Sequence, residues 1–284
     1  MTQNEHHLDF ERVASDVEAW GESILFGERA DEDGWKEVKG WSMFNRGNHT
    51  RCYLKWFKDS REEYAEPDDE QVYPCMKLYS TIDAPMSDVC SYLSNEEHYR
   101  EYNALVVKHK VLEEISPNSK ICWGQSPQIL FITPRDFVSF VSHRWRADGT
   151  QVLISQACEH PDAPASKTEG KDQTLRAISL RNAHFVSPDP EEPATKTKFC
   201  FVCHCYPGKE VPHWLSEQGV NILAPIEAFK LMHNIIRSVP KHAPYPTVND
   251  KEEEASEERS KKPGGMSMMG FGAFWPEGGG LKDT

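Results

Sequence analysis

The stretch Thr133-Pro134-Arg135-Asp136-Phe137-Val138-Ser139-Phe140-Val141-Ser142-His143-Arg144-Trp145 constrains the fold more than any other part of the chain. After a proline-fixed entry, apolar and polar residues nearly alternate, the period of 2 that belongs to a strand with unlike faces. If Phe137 faces inward, then Ser139, Val141 and His143 do too. That face is mainly apolar with one hydroxyl and one imidazole, the mix that orients a ligand with a small polar end. Just upstream, Ile129-Leu130-Phe131-Ile132 places four large apolar residues in what reads as a loop. Covering the mouth of a cavity is a physical reason to keep them there.

The rest of the chain supplies the partners such a strand needs. Leu8 to Phe26 reads as an amphipathic helix, with Phe10, Val13, Val17, Trp20 and Ile24 on one stripe. Strand-like segments follow near 35–43, 49–58 and 72–82. Pro85-Met86-Ser87-Asp88 opens a second helix that ends around 99–103. Further strands are expected at 105–115, 119–125, 135–146, 150–159, 174–187 and 196–206, separated by Ser116-Pro117-Asn118-Ser119, Ala147-Asp148-Gly149 and two longer polar loops. Pro207-Gly208 hands over to a long helix whose stripe includes Leu215, Ile226, Phe229, Met232 and Ile235. Helices near both ends and antiparallel strands between them give an α+β class. A curved sheet around the C-terminal helix is the economical way to bury these faces.

The 284 residues carry a formal net charge of -13. That balance argues against nucleic acid, whose phosphates require clustered Lys and Arg. A chain of this length buries about 70–75% of its unfolded surface, enough for a core and an internal cavity. The N-terminus lacks the basic start and apolar core of a secretory signal, and no run approaches the ~18 apolar residues of a membrane span. Eight cysteines at irregular spacing read as reduced, buried thiols, and a cytoplasmic location follows.

Candidate chemistry is sparse. Cys200-Phe201-Val202-Cys203-His204-Cys205 invites a metal, but in a strand Cys203 and Cys205 share one face while Cys200 and His204 share the other. Four convergent ligands are not available, so no metal is expected. His143, His184, His204 and His233 lie in elements that border the expected cavity, yet none sits beside a nucleophile in sequence. No Gly-rich phosphate loop precedes a helix. Neither catalytic residues nor a cofactor are expected.

Several blocks of the chain, in order, carry a family resemblance. Pro134-Arg135-Asp136-Phe137-Val138 with its alternating strand resembles the StAR-related lipid-transfer (START) domain. Trp35-Lys36-Glu37-Val38 and Arg51-Cys52-Tyr53-Leu54-Lys55 resemble its first two strands. Met76 to Pro85 is similar to the third strand entering its helix. Lys198-Phe199-Cys200-Phe201-Val202 and Pro212-His213-Trp214-Leu215 are similar to the last strand and the start of the closing helix. The resemblance spans residues 8–245 and implies a helix-grip fold: a curved antiparallel sheet around a long C-terminal helix, with an internal hydrophobic cavity.

It also implies that a single lipid is bound in the cavity and transferred or presented between membranes. Lining is expected from Trp123, Phe137, Ser139, Val141, His143, Arg176, Phe229 and Met232. Ile129, Leu130, Phe131 and Ile132 form the expected gate loop, making transient contact with a membrane surface. START cavities can hold a facing acid and arginine; the matching positions here are Cys122 and Val141, which disfavours a ligand recognised by an ion pair. Phospholipid, sterol or another weakly polar lipid fits such a lining. Two alternatives remain open, a helix-grip enzyme acting on a hydrophobic substrate and a ligand-regulated scaffold. Residues 246–284, charged and then rich in Gly and Met, read as a disordered tail and as a docking peptide for a protein partner.

Overall fold

The chain orders around a ten-stranded sheet flanked on both faces by helices. The computed structural model describes residues 3–39, 44, 49–57, 72–94, 98–128, 133–167, 169–206 and 213–242, with backbone alone at 3–9, 94, 99–100, 213–220, 222–224 and 242. Helix α1 (Gln3–Leu25) precedes β1 (Lys36–Val38), β2 (Thr50–Phe57) and β3 (Tyr73–Ile82). Helices α2 (Met86–Ser94) and α3 (Tyr99–Tyr102) lead into β4 (Lys108–Ser116), β5 (Ser119–Gln125), β6 (Arg135–Trp145) and β7 (Gln151–Ala157). The short β8 (Leu175–Arg176), then β9 (Ile178–Pro188) and β10 (Thr197–Tyr206), precede α4 (His213–Ser238) and a closing 3-10 turn, Val239–His242.

Spatial order is β1-β2-β3-β10-β9-β7-β6-β5-β4, antiparallel at every step. β8 lies off this path and pairs in parallel with the start of β6. The β6–β7 turn is closed by Gly149 at φ 83°, a conformation a side chain resists, and by Asp148, whose Oδ1 accepts the Thr150 N–H at 2.9 Å.

Two separate apolar layers follow from strand alternation. On the convex face, Phe140, Val152, Ile154, Ala183, Phe185 and Val202 meet the α1 stripe of Ala14, Val17, Trp20 and Ile24. On the concave face, Leu78, Val141, Leu153, Val186 and Phe199 join Ala228, Met232 and Ile235 of α4. β4 closes one edge with Lys108, Lys110, Glu113 and Glu114, charges that discourage a further strand from pairing there.

Some boundaries differ from those read in the sequence. The expected strand at 174–187 divides at Ala177. Leu175 and Arg176 pair with Arg135 and Asp136, whereas Ile178 pairs with Tyr206. The Ala177 N–H donates to the Asp136 carbonyl at 3.0 Å, which holds the change of partner. The expected second helix divides into α2 and α3. Within the expected first strand only Lys36–Val38 is extended, and 40–43 lies outside the described residues, as does the tail 246–284.

Candidate functional site

Register fixes what the concave face presents. Across neighbouring strands His143 stands opposite Leu153, Leu153 opposite His184, and His184 opposite Phe201 and then Leu78. The next row runs Val141, Ser155, Asn182, Cys203, Met76. One row further, Cys122 faces Ser139 and Ser139 faces Ala157. Phe137, Ser139, Val141 and His143 therefore share this face, as their alternation requires.

Ser139 and Asn182 on these rows are buried and incompletely paired. The Ser139 side chain is 0% exposed, and its Oγ has no hydrogen-bond partner. Asn182, 3% exposed, donates from Nδ2 to Ser155 Oγ at 2.9 Å and to Ser179 Oγ, while its Oδ1 is left without a partner. His143 Nε2 is likewise buried and unpartnered. An orphaned buried polar atom costs about 1–3 kcal/mol, so three on one face are a reason to look for a ligand.

Burial alone pushes the His143 pKa down to about 4 and that of His184, which packs against Phe199 and Phe201, to about 3. Both imidazoles are neutral at pH 7, and act there as hydrogen-bonding groups rather than as charges.

Asn182 and Ser179 meet because the β9–β10 register shifts between His204 and Cys205. The extra residue on β9 turns Ser179 to the side that Asn182 already faces. Nothing in the residue pattern signals this, and neither Asn182 nor Ser155 was among the expected lining residues.

Helix α4 covers the face unevenly. Its backbone approaches most closely to β2, β3 and α3. Trp56 Nε1 donates to Asn221 Oδ1 at 2.9 Å and fastens the helix on that side. Pro225, buried inside α4, leaves the Asn221 carbonyl without its helical donor. Ala228, Phe229, Met232 and Ile235 form the buried stripe of the helix. Met232 joins the concave cluster with Val141 and Leu153. The rows bearing Ser139, Asn182 and His143 lie on β6, β7 and β9, away from the helix's closest approach.

Two expected lining residues belong elsewhere. Trp123 stands opposite Val138, so it points to the convex side, because its neighbour Cys122 is the one that faces Ser139. Its Nε1 donates to Asp136 Oδ2 at 2.9 Å. Arg176 joins the same convex cluster, with Nε and Nη2 on the two Asp136 oxygens at 2.9 and 2.8 Å. Asp136, 1% exposed, is thus the satisfied centre of a staple that also takes the Ser166 hydroxyl at 3.1 Å. The gate residues Ile129, Leu130, Phe131 and Ile132 lie outside the described residues. Cys122 and Val141 both lie on the concave face and both are uncharged.

All eight cysteines are free thiols. Burial raises Cys52, Cys90, Cys122 and Cys200 to about 12, which leaves them protonated and poor nucleophiles. Among the described residues no three His, Cys, Asp or Glu side chains come together as a metal site. No helix among them is long and apolar enough to cross a membrane.

A curved antiparallel sheet closed by one long helix, with uncharged polar groups stranded on the enclosed face, defines a helix-grip domain. The chain belongs to the START domain family, which matches it over residues 29–234. Solved structures agree on the fold. The human StAR-related lipid transfer protein 5 superposes with a TM-score of 0.61 at 19% identity, over 81% of this chain and 98% of that one. Human STARD10 gives 0.55 at 14% identity, over 90% and 88%. The lipid transfer and protein localization domain of human StarD13 gives 0.51 at 18%, over 72% and 91%. A comparison with curated proteins finds no match.

Proposed function

We propose that this protein binds one lipid molecule between the concave face of the sheet and α4, and transfers or presents it between membranes. The observation that carries the reading is the uneven cover of an apolar face. Val141 on β6 and Leu153 on β7 share an apolar cluster with Met232, on strands that α4 approaches less closely than β2 and β3, from which β10 and β9 separate them. The lining we assign is Phe137, Ser139, Val141, His143, Phe229 and Met232. Each CH₂ removed from water contributes about 0.8 kcal/mol, so an acyl chain or polycycle binds here with little polar recognition.

Exit of the lipid needs an opening, and we assign the gate to Ile129-Leu130-Phe131-Ile132, whose apolar side chains would enter the membrane interface. The protein acts without chemistry on its ligand, in the cytoplasm, and residues 246–284 are assigned to a protein partner. Purification from a eukaryotic host followed by native mass spectrometry and lipid extraction tests the binding step; one stoichiometric lipid is expected. Leu130→Asp with Phe131→Asp is expected to slow transfer between vesicles about tenfold while the circular dichroism spectrum stays unchanged. Equal transfer by the double variant removes the gate assignment, and a protein that takes up none of a lipid panel removes the function.

A further inference from the structure

We propose that Ser166 is a phosphorylation site, and that a phosphate on its Oγ unfastens its loop from the start of β6. The segment 164–167 has no regular structure and runs along the surface. Pro164, Ala165 and Lys167 are exposed there and Ser166 is partly so, a form open to a kinase cleft. The Ser166 hydroxyl donates to Asp136 Oδ1 at 3.1 Å, and Asp136 is buried. The hydroxyls of Ser87 and Thr195 also bond carboxylates, but within their own turns. Ser166 instead reaches across 30 residues of chain, to the carboxylate on which Arg176 and Trp123 converge.

Transfer from a nucleoside triphosphate forms the Oγ–phosphorus bond as the bond from the γ-phosphorus to the β–γ bridging oxygen breaks. The diphosphate leaves, and the hydroxyl proton passes to the kinase's carboxylate base. The product carries about −1.5 to −2 charges and has lost the proton that Asp136 accepted. Acceptor then faces acceptor, with a second anion beside a carboxylate that burial keeps from water. Arg176 decides the outcome. Its side chain is 36% exposed, its Nη2 is shared between Asp136 and the Pro164 carbonyl, and its fork suits phosphate as well as carboxylate. Lys167, the next residue after Ser166, adds an exposed cation. Drawn to the phosphate, Arg176 leaves Asp136 with Trp123 alone. The parallel β8–β6 pairing, with the Leu175 and Ala177 N–H groups on the Pro134 and Asp136 carbonyls, then loses its clamp. Phe137 follows Asp136 on β6, so this clamp adjoins the concave face.

Ser166→Ala separates the charge from the hydroxyl. Asp136 keeps the Trp123 and Arg176 donors without it, so the variant is expected to fold with its thermal midpoint unchanged. In full-length protein with phosphoserine encoded at Ser166, we expect the Leu175 and Ala177 amides to exchange with deuterium about tenfold faster than in the unmodified protein. The amides of Thr50–Phe57, across the sheet, should exchange as before. Ser166→Ala should accelerate Leu175 and Ala177 by less than about twofold. Protein isolated with phosphatases inhibited from the cells that make it is expected to carry phosphate on Ser166 in peptide mass spectrometry. Equal exchange with and without the phosphate overturns the switch, and so does an equal acceleration by Ser166→Ala. A peptide recovered only without phosphate at Ser166 overturns the modification. Neither measurement involves a lipid, so the lipid-binding reading stands or falls apart from them.

Discussion

At position 21 the chain has no room for a methyl group. A Cβ there would stand 2.5 Å from the Ala183 Cβ, and Phe185 and Val202 close the other sides. Glycine is what lets α1 lie against β9. Gly21→Ala must push the helix off the sheet, and we expect a loss of about 1–3 kcal/mol in urea unfolding with lipid uptake retained, because the contact is on the convex face. His184 provides a second test at this scale. Its folded pKa of about 3 lies below the ordinary imidazole value near 6.5, so the unfolded chain binds the proton more tightly. Stability is full above pH 6.5 and falls as pH drops toward the folded value, by roughly 1 kcal/mol per pH unit for this imidazole, with His143 adding in the same direction. Carboxylates titrate mainly below pH 4.5, so urea midpoints at pH 7.5 and 5.0 isolate the histidines. His184→Leu should flatten that difference; an unaltered pH slope would contradict the assignment.

Among the elements, α1 is held by charge as well as by its apolar stripe. Arg144 reaches Glu11 at 2.7 Å and Glu18 at 3.1 Å, while Arg146 takes Glu18 at 2.8 Å and Glu22 at 3.0 Å. Glu18 is shared, which links two partly exposed pairs into one network. Arg144→Ala with Arg146→Ala should cost about 1–2 kcal/mol in low salt and less at 1 M salt, and should speed hydrogen exchange in Gln3–Leu25 before the sheet opens. This helix lies ahead of the family match, yet its stripe of Val13, Val17, Trp20 and Ile24 was legible from spacing alone. So was the shared face of Phe137, Ser139, Val141 and His143, because β6 alternates without a bulge. Trp123 was not legible: Ile121-Cys122-Trp123 is apolar on both faces, and only the pairing of Cys122 with Ser139 decides which side is enclosed. Leu175-Arg176-Ala177-Ile178 contains no turn residue, so the break at Ala177 is imposed by its two partners. Asn182 stayed hidden for a related reason, since the bulge that brings Ser179 beside it is a property of β9 and β10 together.

For the whole molecule, the helix-grip architecture was readable because each block of strand and helix pattern fell in family order, and residues 29–234 match that family. The makeup of the concave face was only partly readable, because facing requires knowing which strands are neighbours, and here neighbours in space are far apart in sequence. The order β3-β10-β9 puts the last strand made in the middle of the sheet. Until Thr197–Tyr206 leaves the ribosome, β3 and β9 each present an unsatisfied edge, and the two halves of the sheet have nothing to join them. Closure therefore comes last and at high contact order, a slow step during which those edges invite pairing with other nascent chains. Since α4 follows β10 directly, the grip cannot exist on a nascent chain short of its final strand. Whatever the grip encloses can be taken up only once β10 and α4 are in place.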